Sequence, residues 1–259
     1  MVIPGREAYD THLNYIECLY NLTRNVSIRY IGSLKKAATP DLNTKKNLIA
    51  LTRKSLNDER KIVDIDEDYS YASTSWLPIK SYYLIFNVLI TIEYIFKLQK
   101  NIFRLGHATC IDEFTRKLRD GEIIFSEPLL NHVFDQSILK FKVKCGANLS
   151  KKTSECDMYK MALRKIAIYK LENWKKGNNI NLRKQSHKLK FQSYIKSFNI
   201  SIFDFTYYMR IRSNYRDFAF IDGVTTSDTA KYFKYYFGFT AFFLRSLEGL
   251  RNDLLALRN

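Results

Sequence analysis

The sequence predicts a mainly α-helical protein. Glycine and proline are scarce, nine and four in 259 residues, whereas an all-β sandwich needs turn residues at short, regular intervals. Apolar side chains recur every three or four positions in several long segments, the period of a helix with one buried face. Hydrophobic residues make up 46% of the chain and aromatic residues 15%, enough for a sizeable core at this length.

Glu7 to Tyr20 sets Tyr9, Leu13, Ile16 and Leu19 on one helical face. Asn25 to Leu34 is β-rich through Val26, Ile28 and Tyr30, and Gly32 and Pro40 punctuate the end of that segment and the residues after it. Lys45 to Arg60 predicts a second helix with Leu48, Leu51 and Leu56 inward. Asp58 to Asp68 is acidic and reads as a solvated loop or as an intramolecular partner for a basic region further along. Trp76-Leu77-Pro78 opens a long helix from Ile79 to about Lys100, with proline in the first turn where its missing N–H costs nothing. Its oiliest part, Tyr82 to Phe96, is shorter than the roughly 20 residues of a bilayer span. It also carries Asn87, Thr91 and Glu93, so a buried helix central to a bundle is expected, and no membrane segment. Arg104 to His107 ends it, and Ala108 to Arg119 forms another helix that Asp120-Gly121 stops.

From Glu122 to about Asn199 the character changes. Ile138 to Lys144 alternates Phe141 and Val143 with Lys140, Lys142 and Lys144, the pattern of a strand with one basic face. Asp157 to Trp174 predicts a helix, Lys175 to Asn179 a turn, and His187 to Phe198 a further helix. Between Lys140 and Lys196 sixteen Lys and Arg face only Glu155, Asp157 and Glu172, which localises +13 of the chain's +16. Such a concentration implies an anionic partner, and nucleic acid is the simplest. Phe141, Tyr159, Tyr169, Trp174, Phe191 and Tyr194 lie among these cations; aromatic rings can stack on unpaired bases, although helical spacing assigns most of these six to a core. An acidic protein partner is the competing reading.

The cysteines, Cys18, Cys110, Cys145 and Cys156, are scattered without a C-x-x-C pair. With no secretory signal recognised they read as reduced thiols of a cytoplasmic protein. Cys145 and Cys156 lack the further ligands of a zinc site, so neither metal nor cofactor is expected. His12 and His132 have no partner visible in the sequence.

One polar knot stands out. Met209 to Asp217 holds Arg210, Arg212, Asn214, Tyr215, Arg216 and Asp217 between two oily segments, Ile202 to Tyr208 and the aromatic helix predicted from Thr229 to about Leu250. Polar groups so placed are internally paired, hydrated or reserved for a ligand.

Three separated stretches resemble motifs of the HEPN superfamily. Lys80 to Asn87 resembles its YY-x-x-F helix; Gly106-His107-Ala108-Thr109, with Phe114 following, looks like its small-residue-His helix start. Arg210, Tyr215 and Asp217 are similar to its Arg-x4-aromatic-x-polar helix, although cleaving members carry His where Tyr215 stands. The resemblance covers roughly Trp76 to Gly121 and Ser201 to Leu250. It implies an up-and-down helical bundle, often dimeric, that binds or cuts RNA without metal in toxin–antitoxin or antiviral defence systems.

The expected organisation is a helical and mixed extension (1–75), a HEPN-like bundle (76–121 and 200–259) and a small basic α+β insertion (122–199). Catalytic candidates are Arg210, Tyr215, Asp217 and His107, the last as a substitute imidazole. Nucleic-acid contacts are assigned to Arg212, Asn214, Arg216, Lys140, Lys142, Lys144, Lys151, Lys152, Arg183, Lys184, His187, Lys188 and Lys190. Three functions stay open: an RNA-binding endoribonuclease, a non-catalytic HEPN subunit that scaffolds or senses within a larger complex, and a DNA-binding component.

Overall fold

The computed structural model describes residues 6–37, 41–63, 65–66, 68–69, 73–74, 76–129, 133–142, 154–215 and 226–258. The fold is mainly α. Among the described residues, eight α-helices run in the order α1 (Arg6–Thr23), α2 (Asn43–Val63), α3 (Leu77–Lys97), α4 (His107–Arg119), α5 (Glu155–Gly177), α6 (Gln185–Lys196), α7 (Ile202–Tyr215) and α8 (Thr226–Arg258). Strands β1 (Ile28–Tyr30) and β2 (Ile123–Phe125) pair antiparallel, Arg29 opposite Ile124.

α3 is the central helix, packed against α2, α4, α7 and α8. Pro78 sits in its first turn as the sequence predicts. By length and composition α3 would cross a bilayer, yet 72% of its most apolar stretch is buried inside the protein. Its far end closes on Leu98 in the left-handed region, and its last carbonyls, Ile95 and Phe96, accept hydrogen bonds from the Arg258 guanidinium of α8. A cation there also opposes the negative end of the helix dipole. α8 in turn buries Tyr232, Phe239 and Phe243, and α1 lies along it through Tyr9 and His12 against Tyr232. One contiguous core draws Ile16, Leu89, Ile166 and Phe205 together, from segments far apart in sequence.

Several local expectations change. In α2 only Leu56 of the three expected leucines is buried; Leu48 and Leu51 are 40% and 66% exposed, and Ile49 goes inward instead. The buried stripe is Ile49, Leu56 and Glu59, and Glu59 is paired there with Lys80 of α3 at 2.7 Å. That same helix continues to Val63, so the first part of the acidic stretch is helical, and its Glu59 pairs with α3, outside the Lys140–Lys196 region. Asp64 and Glu67 lie outside the described residues. Instead of the strand expected from Ile138, Gln136–Lys140 is a 3-10 helix. Asp135 caps it by accepting from the Ser137 N–H at 2.8 Å, Ile138 is buried, and the Leu139 carbonyl accepts from Arg164 Nε at 3.1 Å. The alternation there is also satisfied by a single tight turn. Val143 to Ser150 falls outside the described residues, Cys145 with it, as does His132.

At the heart of the bundle Glu93 of α3 is fully buried and accepts from Lys117 Nζ of α4, itself 3% exposed along its side chain. Lys97 and Glu113 close the network at 3.6 and 3.5 Å. Removing one partner of a buried pair strands the other charge, which costs about 3–5 kcal/mol. Glu93→Gln is therefore expected to destabilise the protein by about that amount in urea unfolding, whereas Glu93→Leu with Lys117→Met recovers most of the loss.

Candidate functional site

Two turns of α3 present Tyr82, Tyr83 and Phe86 towards the start of α4, where Gly106 in extended conformation turns the chain so that His107 is the first helical residue. α7 brings Tyr207 and, nearly one turn later, Arg210 to the same place. The His107 ring lies 4.1 Å from Phe86, 5.5 Å from Tyr82 and 5.7 Å, edge-on, from Tyr83. Tyr82 Oη and His107 Nδ1 share a hydrogen bond of 2.7 Å. The Arg210 guanidinium stands over Tyr82 and Tyr83, both at 5.4 Å, and over Tyr207 at 5.8 Å.

The electrostatics follow from this packing. Burial and then the Arg210 charge hold the His107 pKa below its ordinary value, so the imidazole is neutral at physiological pH. Burial raises Tyr82 far above an ordinary phenol despite Arg210, and raises Tyr207 as well, so both stay protonated. No carboxylate among the described residues pairs with Arg210, and its Nε is buried without a hydrogen-bond partner. The cluster therefore combines a neutral imidazole, neutral phenols and a guanidinium without a carboxylate partner among the described residues, with His107 and Arg210 half-buried and Tyr83 38% exposed. When His107 donates Nδ1–H to Tyr82, the Nε2 lone pair is free to accept a proton; the opposite tautomer makes Nε2 a donor to an anion.

Thus two of the four catalytic candidates, Arg210 and His107, share one site. Tyr215 ends α7, but its side chain, with those of Arg212 and Asn214, lies outside the described part, and so do Arg216 and Asp217 entirely. Tyr82, Tyr83 and Tyr207 are site residues that the sequence reading did not assign; the doubled tyrosine at the head of α3 is the signal that pointed there.

The basic arm is a helical hairpin. α5 buries Tyr159, Leu163 and Ile166 against α1 and α7, while α6 has no buried residue. Lys140 and Lys142 are exposed, and so are Arg183, Lys184, Lys188 and Lys190 on the turn and on α6. Lys144, Lys151 and Lys152 lie outside the described residues. His187 Nδ1 accepts from the Asn181 N–H at 2.9 Å, so one ring nitrogen fastens the turn. The interleaved aromatics serve the fold: Trp174 and Tyr194 stack face to face at 4.1 Å, joining α6 to α5, and Tyr159 is core.

Arm and site are connected. Lys170 of α5 reaches Asp112 of α4 and Asp204 of α7, both at 2.8 Å. Burial alone would lower the lysine's pKa, but the two carboxylates outweigh it and hold the ammonium charged. Asp204 also accepts the Ser201 N–H at 2.9 Å and caps the start of α7. No group of three His, Cys, Asp or Glu side chains that could hold a metal ion occurs among the described residues.

Comparison of the chain with protein-family models, with curated proteins and with solved structures found no match.

The His107 environment has a direct readout. In an NMR titration its imidazole is expected to titrate below the ordinary value of about 6.5. Arg210→Ala, which removes a repelling charge, should move the midpoint upward; an unchanged midpoint would separate the two residues.

Proposed function

We propose that this chain is a HEPN-type RNA-binding protein that holds the RNA backbone on the α5–α6 arm and cleaves it at the Tyr82–His107–Arg210 cluster. One observation carries the reading: Tyr82, His107 and Arg210, one residue from each of the three stretches that resemble HEPN motifs, meet at a neutral imidazole and a guanidinium that no carboxylate among the described residues pairs.

The chemistry suits those groups. His107 Nε2 takes the proton of a ribose 2′-hydroxyl, and the 2′-oxygen attacks the adjacent phosphorus. The bond to the 5′-oxygen breaks, that oxygen takes a proton from water, and the His107 imidazolium returns its own proton to solvent, leaving a 2′,3′-cyclic phosphate and a 5′-hydroxyl. Arg210 balances the negative charge that accumulates on the phosphorane. Tyr82 holds the ring in place, and the tautomer with Nδ1–H donated to Tyr82 is the one that leaves Nε2 free to act as the base. The neutral resting state of His107 is what a general base requires, and it removes the need for an imidazole at position 215. The exposed lysines of the arm supply the sequence-independent contacts to phosphate.

Purified protein incubated with single-stranded RNA in chelator should yield cyclic-phosphate ends. His107→Ala and Arg210→Ala should each slow that cleavage about 10²-fold or more without weakening binding to the same degree. Intact RNA held tightly and salt-sensitively would assign the non-catalytic subunit instead.

The arm is tested separately. Neutralising Lys140, Lys142, Lys184 and Lys188 should lessen the slope of log affinity against log salt by about one for each phosphate no longer neutralised. An unchanged slope would place the nucleic-acid surface elsewhere.

A further inference from the structure

Beside His107 the structure leaves aromatic surface open to solvent. Tyr83 is 38% exposed, although Arg210 and His107 both stand against its ring. Trp76, earlier on the same helix, is 57% exposed, and among the described residues no ring, cation or hydrogen-bond partner meets its indole. The Trp76 backbone is already right-handed helical, and its carbonyl accepts from the Ile79 and Lys80 N–H groups, so the geometry of α3 extends to it. Positions 76 and 83 are two turns apart and share one face, about 10.5 Å from each other along the axis. Lys80 lies between them on that face, and its charge is already paired with Glu59. The head of α4 beside His107 is low, since Gly106, Ala108 and Thr109 are small and exposed.

We propose that Tyr83 and Trp76 form a stacking subsite for unpaired bases, so that the substrate of the His107–Arg210 cluster is single-stranded at and beside the scissile phosphate. This rests on the nucleic-acid reading above. The surface suits a base better than a phosphate: it is aromatic, and the cation between the two rings is neutralised by Glu59. Stacking accepts any base, because every base has a π-face. A paired base has both faces covered by its neighbours in the duplex, so only an unpaired one can lie on Tyr83 or Trp76. The spacing fits a strand, since two or three nucleotides cover about 10.5 Å at 3.4 Å or more each. In-line attack by a 2′-oxygen also needs a strand released from its helical path. A base held on Tyr83, whose ring neighbours both His107 and Arg210, fixes the adjoining phosphate against those two groups. The arm holds nucleic acid by charge; the subsite decides which strand is cut.

The chain has two tryptophans, and Trp174 is stacked on Tyr194 in the arm. The full-length Trp174→Phe protein therefore reports on Trp76 alone. It is titrated with a short 2′-O-methyl oligoribonucleotide, which has no 2′-hydroxyl to attack with, as a single strand and as a blunt duplex. The single strand is expected to quench Trp76 fluorescence saturably, and the duplex to leave it unchanged. Trp76→Ala and Tyr83→Ala should each weaken single-strand binding about fivefold or more. Neither should change the salt slope, since no phosphate contact is lost. Tyr83→Phe should bind as the parent does, and Trp76→Ala, at an exposed position, should leave the unfolding curve in place. Trp76 fluorescence that does not distinguish strand from duplex overturns the subsite, even where RNA is cut in a His107-dependent way. So does single-strand affinity that Trp76→Ala leaves unchanged. Quenching by the single strand with unmodified RNA left intact keeps the subsite and overturns the cleavage reading. Failure of both oligonucleotides to bind overturns both.

Discussion

Lys170 lies on α5, but both of its carboxylate partners lie on other helices, Asp112 on α4 and Asp204 on α7. Those two helices also carry His107 and Arg210. A single buried ammonium thus joins the helix that bears the basic arm to the two helices that build the polar cluster. Isolated, such a charge would be forced out of the interior; between two carboxylates it becomes a geometric constraint, because neither partner can leave without exposing the others to a desolvation penalty. Thr115 and Ser201 extend the constraint, their hydroxyls 2.7 Å apart beside Asp204. The positions of arm and cluster relative to each other depend on this junction.

The two charged regions then differ in kind. On the arm, cations sit on a helix without buried residues and are screened and hydrated, so their effect is long-range attraction that weakens with salt. At the cluster, Arg210 lies against three phenol rings, with water partly excluded, and acts at short range on the His107 ring. A basic balance over the whole sequence describes only the first.

The helices were legible in the sequence because their apolar periods are long; α3, α4 and α8 begin or end within a few residues of where composition and turn signals place them. The inward face of α2 was not, since two overlapping apolar stripes, through Leu48 and through Ile49, fit the same period, and packing against α3, where Glu59 meets Lys80, sets which one turns in. The 3-10 turn at Gln136–Lys140 was hidden for a similar reason, an alternation of period two being too short there to separate strand from turn. Arg210 and His107 were each visible as residues, but their meeting at Tyr82 depends on how α7 packs across α3 and α4. Lys170 left a readable trace: it continues the buried stripe of Tyr159, Leu163 and Ile166, where a lysine has to find an acid.

The contact of α1 with α8 joins His12 to Tyr232, 220 residues apart. At roughly 5–20 residues per second, synthesis reaches the second about ten to forty seconds after the first. Throughout that interval the face of α1 formed by Tyr9, Ile16 and Leu19, all fully buried in the finished fold, has no α8 to cover it. α1 therefore gains its α8 partner only after every other helix described above has been made.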